Sequence, residues 1–383
     1  MIIKNKTVLV FTGGGLAPAL NSTLYGVINA AKKNNIKILG GMFGWASLLD
    51  NGKIINLSNI DISSIKNIGG TFLRSSRFNP LVYKNGLKQV KKQIKKYNID
   101  YIIAIGGNDT MGAAHKLFQE GIPIIGVPKT IDNDLSETYW SPGFPSAAHY
   151  LASFTEEIKK DAAYALSRIY IIESLGQDAG WLTAAASFGH ADVIIPPEKK
   201  VDLNKLLEII KKRYKENGNY ATVVIAQEVN FKQKLERLNN AQLDQYNTKR
   251  SSYICLALKE EIEKVLKNVT VKALYPGNYL QSGHPINIDK QTAIKLGQKA
   301  IELVKKRESG KMTCLIKNKN NQIKISDTEL NRVIKYNPMP DDYFDWKKFQ
   351  VTKKYIDYMK PIFGKYKRIN DDPYYKLINK VSK

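Results

Sequence analysis

The segment TVLVFTGGGLAPALN, residues 7–21, decides the fold predicted for this chain. Its first six residues are mostly apolar and β-branched, which is typical of a buried strand. Three glycines follow at Gly13–Gly15, and an apolar pattern of helical period begins at Leu20. Glycines between a strand and a helix let backbone N–H groups approach an anion closely at the helix N-terminus. A tight structural turn is the alternative explanation, because the loop matches neither a G-x-G-x-x-G fingerprint nor a P-loop.

The same alternation of strand and helix continues along the chain. Strands are predicted at residues 7–12, 36–42, 99–105, 122–127, 168–173, 191–195, 220–227, 270–274 and 312–316. Helices are predicted at residues 20–33, 87–97, 111–120, 147–160, 179–188, 203–214, 253–266 and 290–305. This pattern indicates the α/β class with mostly parallel sheets. We therefore predict two Rossmann-like lobes, residues 1–145 and 146–310, an exposed excursion at 230–248, and a C-terminal segment, 311–383, that packs across the lobes.

The composition excludes several classes of protein. With 383 residues, 43% of them hydrophobic, the chain has enough apolar material for two domains and is not wholly disordered. No apolar run approaches the ~20 residues of a membrane span, and the opening residues lead straight into a strand, so we expect a cytoplasmic protein without a membrane partner. Cys255 and Cys314 are far apart, which argues against a disulfide framework or a zinc site.

The net charge of +24 raises the question of a nucleic-acid partner. Most of the cations are lysines in amphipathic stretches such as 88–96 and 205–215, where they indicate solvated helix faces. We therefore expect no nucleic-acid partner. A positive field also steers small phosphorylated substrates towards a protein.

A second glycine loop joins a predicted strand to a predicted helix at residues 106–109, Gly-Gly-Asn-Asp. A carboxylate at such a turn can hold Mg²⁺ while the backbone amides hold phosphate. The alternative role of Asp109 is to cap the helix.

The motif PKTIDND, residues 128–134, follows another predicted strand. It places Asp132 and Asp134 on a segment predicted to be extended, just after Lys129. These groups together can supply a general base, a metal ligand and a phosphate-binding cation, whereas the alternative is turn formation alone. A fourth segment, 69–77, ends in Arg77. The guanidinium group of this residue can either bind a phosphoryl group or form a surface salt bridge.

Taken together, these loops and three later segments resemble the phosphofructokinase family. The matching segments are GGGLAPALN, GGTFLRSSR, GGNDTMGAA, PKTIDND, ESLGQDAGWL, ADVIIPPE and PGNYLQSGHP, and the similarity extends to about residue 365. The resemblance implies Mg²⁺ as cofactor and transfer of phosphate from ATP or pyrophosphate to the 1-hydroxyl of fructose 6-phosphate. It also implies a homodimer or homotetramer, because Arg168 matches an arginine that reaches the sugar phosphate of a neighbouring subunit.

The matching positions imply a role for each site residue. Asp132 matches the base that removes the proton of the sugar hydroxyl, and Lys129, Thr130 and Asp134 complete the implied catalytic set. The implied donor-binding residues are Gly14, Arg77, Gly107 and Asp109, and the implied metal ligands are Asn108 and Asp109. The implied acceptor-binding residues are Arg168, Leu175, Gly176, Glu228, Lys272, Asn278, Tyr279 and Gln281.

Two positions bear on the choice of donor. Members that use ATP typically have glycine where this chain has Asp109 and Lys129. A carboxylate at 109 would crowd and repel an α-phosphate, while an ammonium at 129 neutralises pyrophosphate. This pair and the segment 351–364 therefore resemble the pyrophosphate-dependent branch.

Departures from the family pattern cluster among the acceptor-binding positions. Gln177 and Gln281 stand where the family usually has arginines, and Lys272 also replaces an arginine. Charge-assisted bonds to phosphate contribute about 1.5–3 kcal/mol each, so their loss weakens recognition of a 6-phosphate. Either Lys272 and Arg168 compensate, or the acceptor is another sugar phosphate, a polyol or a nucleoside. Asn278 and Asn108 are departures too, and Asn108 stands where an acid is common. A catalytically silent homologue that binds a metabolite is a further alternative.

Overall fold

The structure is a computed structural model that describes residues 6–165, 167–235, 253–320, 322–366 and 377. The excursion predicted at 230–248 lies mostly outside these residues. In chain order the strands are β1 (Thr7–Thr12), β2 (Lys37–Gly41), β3 (Ile54–Asn56), β4 (Tyr101–Gly106), β5 (Ile124–Pro128), β6 (Arg168–Ser174), β7 (Val193–Ile195), β8 (Tyr220–Ala226), β9 (Thr270–Leu274), β10 (Lys311–Lys317), β11 (Ile323–Glu329), β12 (Phe344–Asp345) and β13 (Gln350–Val351).

The α-helices lie between the strands, as the alternating pattern predicts. They are α1 (Leu20–Lys33), α2 (Gly86–Tyr97), α3 (Asn108–Gln119), α4 (Phe144–Tyr164), α5 (Trp181–Ala184), α6 (Leu203–Glu216), α7 (Ile254–Val265), α8 (Tyr279–Ser282), α9 (Asn287–Lys305), α10 (Leu330–Val333) and α11 (Lys353–Phe363). The helix predicted at 179–188 is shorter than expected, because α5 passes into a 3₁₀ helix at Ala185–Gly189. Within the described ranges no helix has the length and apolar character needed to cross a bilayer.

The chain divides into two compact units, each built from two separate stretches. The first contains residues 1–147 and 281–337, and the second contains residues 148–280 and 338–383. The first predicted boundary, at 145, agrees with this division within two residues. The other boundaries differ: residues 281–310 belong to the first unit rather than to the C-terminal lobe, and the segment 311–383 is shared between the units at Asn337.

The first unit contains a seven-stranded sheet in the order β11-β10-β5-β4-β1-β2-β3. Its five inner strands are parallel, and β3 and β11 close its edges as antiparallel strands. Every residue of β1, β4 and β5 is buried, which explains their continuous apolar runs. Because β10 pairs with β5, the stretch after residue 281 returns to this sheet.

A close helix contact also ties this returning stretch to the first unit. Helix α9 packs on α1 where a glycine of each helix faces the other. A Cβ atom on Gly26 would lie 2.2 Å from the carbonyl oxygen of Ile294, and one on Gly297 would lie 2.5 Å from that of Thr23. Two helices can approach this closely only where side chains are absent, so larger residues at 26 or 297 would force them apart.

The second unit contains a parallel sheet in the order β7-β8-β6-β9. The aromatic residues of the chain's last part pack on this unit. Tyr355 of α11 is fully buried and donates its hydroxyl to the carbonyl oxygen of Trp181 at 2.6 Å, while Tyr343 and Tyr358 contact the Trp181 ring. Burial of these rings explains why this part of the tail is ordered.

Candidate active site

Three of the loops singled out in the sequence lie side by side at the carboxyl ends of β1, β4 and β5. The N–H group of Gly13 donates to the carbonyl oxygen of Ile105 at 2.8 Å, and that of Lys129 donates to Gly106 at 2.9 Å. The chain leaves β1 towards β2 on one side and places β4 on the other side, so the order of strands reverses here. Open α/β sheets bind ligands at such a switch point, and the first unit therefore has its candidate site at this edge.

The fourth segment, residues 69–77, is hydrogen-bonded to the first glycine loop. The Gly14 N–H group donates to the Ser76 carbonyl oxygen at 2.9 Å, and the Ser75 hydroxyl donates to the Gly14 carbonyl oxygen at 2.7 Å. The backbone N–H and carbonyl groups of Gly14 therefore both form hydrogen bonds within the protein. The N–H group predicted to bind the donor at Gly14 is thus already a donor to Ser76, and the φ of 82° at Gly14 is what the turn requires.

Asn21 is a residue of this site that the sequence analysis quoted but gave no role. Its side-chain amide donates to the carbonyl oxygens of Ile68 and Gly69, and its side-chain oxygen accepts from the N–H group of Phe72 at 2.9 Å. The Asn21 N–H group donates to Gly70 at 2.9 Å. An asparagine in the first turn of a helix is a signal for such a role, because its amide competes for nearby backbone groups.

Helix α3 begins directly after the second glycine loop. Gly107 is its N-cap residue and supplies no side chain to cap the first turn, so backbone N–H groups remain there for an anion. The close packing of this turn explains why residue 106 is glycine, because a Cβ atom there would lie 2.3 Å from the Thr110 hydroxyl oxygen. Asp109 lies in the same turn with its side chain exposed.

Lys129 is buried below the first glycine loop. Its side chain is 3% exposed, and its ammonium donates to the Gly15 carbonyl oxygen at 2.6 Å. Burial lowers the pKa of Lys129 to about 8, although the charges of Asp132 and Asp134 act in the opposite direction. The ammonium therefore keeps its proton at neutral pH and supplies a fixed positive charge below the loop.

Asp132 and Asp134 form a pair of carboxyl groups beside this ammonium. Burial is the main reason why the pKa of Asp132 rises to about 7, and the negative charge of Asp134 is the second reason. Burial also raises the pKa of Asp134. The segment is not continuously extended as predicted, because Asn133 between the two acids adopts a left-handed φ of 58°. This turn brings both carboxyl groups within electrostatic reach of Lys129.

The site contains a buried oxygen atom that lacks a hydrogen-bond partner. The Asn108 amide donates to an oxygen of the Asp134 carboxylate at 2.6 Å, while its Oδ1 atom is buried and has no partner. Amide and carboxylate oxygens are the ligands that Mg²⁺ prefers, so Asn108 and Asp134 fit this ion. No group of three or more His, Cys, Asp and Glu residues that could hold a metal ion occurs in the part of the chain that the structure describes. Asp109, the other predicted ligand, is exposed.

Asp289 of α9 is a further buried carboxyl group that stabilises the structure around the loop after β5. The sequence analysis did not identify it. It accepts hydrogen bonds from the Gly143 N–H group at 2.9 Å and from the Ser146 hydroxyl at 2.5 Å. Burial raises its pKa to about 6. Gly143 in turn forms a β-bridge with Thr130. No sequence signal identified Asp289, because it lies about 150 residues from the loop that it supports.

The predicted acceptor residues of the second unit fall into two groups along β6. Arg168 is the first residue of β6, and Lys272 lies beside Tyr170 on the neighbouring strand β9. Both cations lie over the Tyr170 ring, and Arg168 forms an ion pair with Asp161 at 3.0 Å. The loop after β6 contains the other group, Leu175, Gly176 and Gln177. At 3.3 Å per residue, the first and last residues of β6 are roughly 20 Å apart, so this loop is about that far from Arg168. Arg168 and Lys272 therefore do not share one site with this loop within a subunit.

The remaining acceptor candidates lie at other loops. Glu228 follows the end of β8, and Asn278 and Tyr279 follow β9 at the start of α8, with the ring of Tyr279 against that of Tyr150. Gln281 belongs to the first unit instead, where its Nε2 atom lies 3.7 Å from the place of a Cβ atom on Gly15. The structure thus brings Gln281 to the glycine loop.

The raised pKa of Asp132 predicts a cost in stability that the variant Asp132→Asn removes. Because its folded-state pKa of about 7 exceeds the ordinary 3.8, the folded protein holds a proton that the unfolded chain releases between these values. Stability is therefore lost as pH rises through this window. At pH 8 we expect the free energy of unfolding of Asp132→Asn to be about 1–3 kcal/mol higher than that of the wild type. Near pH 4 we expect the two free energies of unfolding to be similar.

Urea unfolding of both proteins at pH 4.5 and 8, in buffer with a chelator, measures this difference. The exposed Asp357 of α11 provides the control Asp357→Asn, which should leave the pH dependence unchanged. Parallel pH profiles for wild type and Asp132→Asn would contradict the assignment of the raised pKa to Asp132.

Comparisons with known proteins agree with this fold and these motifs. A family model described as phosphofructokinase matches residues 7–304. The chain is 35% identical over 303 residues to a pyrophosphate–fructose 6-phosphate 1-phosphotransferase of Dictyoglomus thermophilum, covering 79% of this chain and 87% of that protein. It is also 30% identical over 328 residues to an ATP-dependent 6-phosphofructokinase 2 of Clostridium perfringens, covering 82% and 89%.

Among solved structures, a pyrophosphate-dependent phosphofructokinase from Marinobacter aquaeolei superposes on this chain with a TM-score of 0.82. The match covers 94% of this chain and 92% of that one at 23% sequence identity. At this identity the likeness concerns the fold. It agrees with the α/β class and mostly parallel sheets predicted from the sequence.

Proposed function

This chain belongs to the phosphofructokinase family, and on that premise we propose that it transfers a phosphoryl group from pyrophosphate to the 1-hydroxyl of fructose 6-phosphate. The observation that carries the choice of donor is the buried ammonium of Lys129, which donates to Gly15 at 2.6 Å. It supplies a positive charge below the donor loop at neutral pH. Pyrophosphate is a small, highly charged anion that lacks the base and sugar of ATP. A buried cation and an uncapped helix N-terminus can therefore bind it through its phosphate oxygens alone.

Asp132 is the general base of the proposed reaction. It takes the proton of the acceptor hydroxyl, whose oxygen attacks the phosphorus atom in line while the bond to the leaving phosphate breaks. A carboxyl group with a pKa near 7 is half ionised at neutral pH and accepts a proton more readily than an ordinary aspartate. Arg77 is close enough to lower the pKa of both Asp132 and Lys129, so its charge also acts where negative charge develops.

Mg²⁺ would be held by the unpartnered oxygen of Asn108 and by the carboxylate of Asp134. When bound, the ion neutralises phosphate charge and acts as a Lewis acid on the phosphoryl oxygens. The role of this chain's own residues is to orient the ligands: the Asn108 amide donates to Asp134 at 2.6 Å, which holds that carboxylate in place.

The acceptor is the less constrained half of the proposal. The separation of Arg168 and Lys272 from the loop after β6 supports an oligomer, a homodimer or homotetramer, in which these cations serve the site of a neighbouring subunit. Gln177 and Gln281 carry neutral amides where the family usually has guanidinium groups. This observation favours, as a second candidate, the same donor with another sugar phosphate, a polyol or a nucleoside as acceptor.

A donor-by-acceptor activity matrix with the purified full chain and Mg²⁺ tests the proposal. The donors are pyrophosphate and ATP, and the acceptors are fructose 6-phosphate, other sugar phosphates, polyols and nucleosides. We expect the highest kcat/KM with pyrophosphate and fructose 6-phosphate. Transfer to another acceptor with pyrophosphate would support the second candidate, and transfer only with ATP would contradict the choice of donor. Binding without transfer in every combination would indicate a catalytically silent homologue.

A further inference from the structure

Arg74 has a backbone conformation that its side chain makes unfavourable. Its φ is 57°, in the left-handed region. Glycine adopts this region readily, but a residue with a large side chain is sterically unfavourable there. Phe43, which contacts Arg74, also adopts this conformation with a φ of 62°. Strain of this kind persists only where the surrounding structure imposes it, and it is common at ligand sites.

The strain at Arg74 is imposed by the first glycine loop. The hydroxyl of Thr12, the last residue of β1, donates to the Arg74 carbonyl oxygen at 3.0 Å. Next in the chain, Ser75 donates to the carbonyl oxygen of Gly14 at 2.7 Å. On the other side, the Phe43 N–H group donates to the carbonyl oxygen of Leu73 at 3.0 Å. These bonds hold the Arg74 backbone beside the first glycine loop, at the edge of the candidate active site and three residues before Arg77.

The Arg74 guanidinium has donors to spare. It lies over the Phe43 ring, whose centroid is 5.4 Å from the guanidinium carbon, and it forms no ion pair or hydrogen bond with the described residues. A ring face orients a guanidinium without using its N–H groups, so they remain available to an anion. The turn alone does not explain an arginine here, because glycine would satisfy the same backbone without strain.

We propose that Arg74 binds the phosphate group of the donor that is not transferred. This inference rests on the proposed function. Arg77 acts on the charges of Lys129 and Asp132, where transfer takes place, whereas the Arg74 guanidinium lies over the Phe43 ring. The two arginines therefore divide the donor between them, with Arg77 on the transferred phosphoryl group and Arg74 on the leaving phosphate.

The test compares two arginine-to-glycine variants of the full chain. Arg74→Gly removes the guanidinium and relieves the left-handed conformation. Arg307→Gly is the matched control, because Arg307 is exposed after the end of α9 with a φ of 60°. Calorimetric titration with Mg²⁺ and methylenediphosphonate, a diphosphate that cannot be cleaved, should show a Kd at least about tenfold higher for Arg74→Gly, because a charge-assisted contact is lost. Arg307→Gly should bind like the wild type.

Stability separates this role from a structural one. If Arg74 only completed the fold, its removal would lower the melting temperature; we expect instead that Arg74→Gly melts at or above the wild-type temperature. Arg74→Asn, a neutral residue that tolerates this φ, should show the same weakened binding, and Arg74→Lys should regain part of it.

Unchanged binding in Arg74→Gly and Arg74→Asn would overturn the assignment of Arg74 and leave the proposed function intact. If the wild type binds ATP but neither pyrophosphate nor methylenediphosphonate, the proposed donor fails as well. A melting temperature lowered in both variants, with the Kd of the folded protein unchanged, would assign Arg74 to the fold.

Discussion

Replacing Asp132 by alanine is expected to lower the turnover number by at least about 10²-fold while the affinity for the acceptor changes little. The reason is that the acceptor hydroxyl loses the group that removes its proton, whereas the groups that bind the acceptor are untouched. Initial rates at saturating donor and acceptor give kcat, and the acceptor KM separates binding from chemistry. The comparison is made with the pair of substrates that the activity matrix identifies.

The pH profile gives a second measurement for the same residue. Because Asp132 must be ionised to accept the proton, wild-type kcat/KM should rise with pH as the free enzyme passes through the Asp132 pKa of about 7. The residual activity of Asp132→Ala should lack this rise. Asp100→Asn is a control of equal charge change, because Asp100 lies before β4 and binds Lys6 at 3.0 Å at the opposite end of the strand. Near-normal turnover in Asp132→Ala would refute the general-base role.

The double variant Lys129→Gly with Asp109→Gly is expected to shift donor preference from pyrophosphate towards ATP. Glycine at 129 removes the buried ammonium that donates to Gly15, and glycine at 109 removes a carboxylate from the first turn of α3. Glycine at 129 takes away a positive charge that suits a diphosphate, whereas glycine at 109 makes space and removes a negative charge that repels the α-phosphate of ATP. We expect the ratio of kcat/KM for pyrophosphate to that for ATP to fall by at least about tenfold, because one charge-assisted phosphate contact alone is worth about 1.5–3 kcal/mol.

The two single variants show which residue carries the shift. Lys129→Gly should lose pyrophosphate-dependent activity, and Asp109→Gly should raise activity with ATP more than with pyrophosphate. The ratio is measured on one preparation, so partial unfolding affects both donors equally. Lys129→Met, which keeps most of the buried volume, controls for a collapsed loop. An unchanged ratio in the double variant would refute the choice of donor argued from these two positions.

Many local features of this protein were predictable from its sequence. Helix α1 and strands β1 and β9 have the bounds that their local residue patterns predict. The three loops after β1, β4 and β5 lie side by side as expected of parallel strands. Asp132, Asp134 and Lys129 are close in sequence, so their proximity needed little tertiary information.

Other features arise from contacts between distant parts of the chain. The strand β10 was predicted, but its pairing with β5, which returns residues 281–337 to the first unit, was not. Local periodicity describes the faces of an element and carries no information about its neighbour in the sheet. The same limit explains why Gln281, assigned to the acceptor from its motif, was not expected beside Gly15.

The sequence by itself determined the α/β class, most helices and strands, and the group of polar residues from which the candidate site is built. Only the tertiary structure decided which of their atoms are engaged: the Gly14 N–H group is used by Ser76, and the Asn108 side-chain oxygen is left without a partner. It also decided that Arg74 is strained and Lys129 buried. The physical reason is that conformational preference depends on a few neighbouring residues, whereas burial, hydrogen bonding and pKa depend on every group that folding brings nearby.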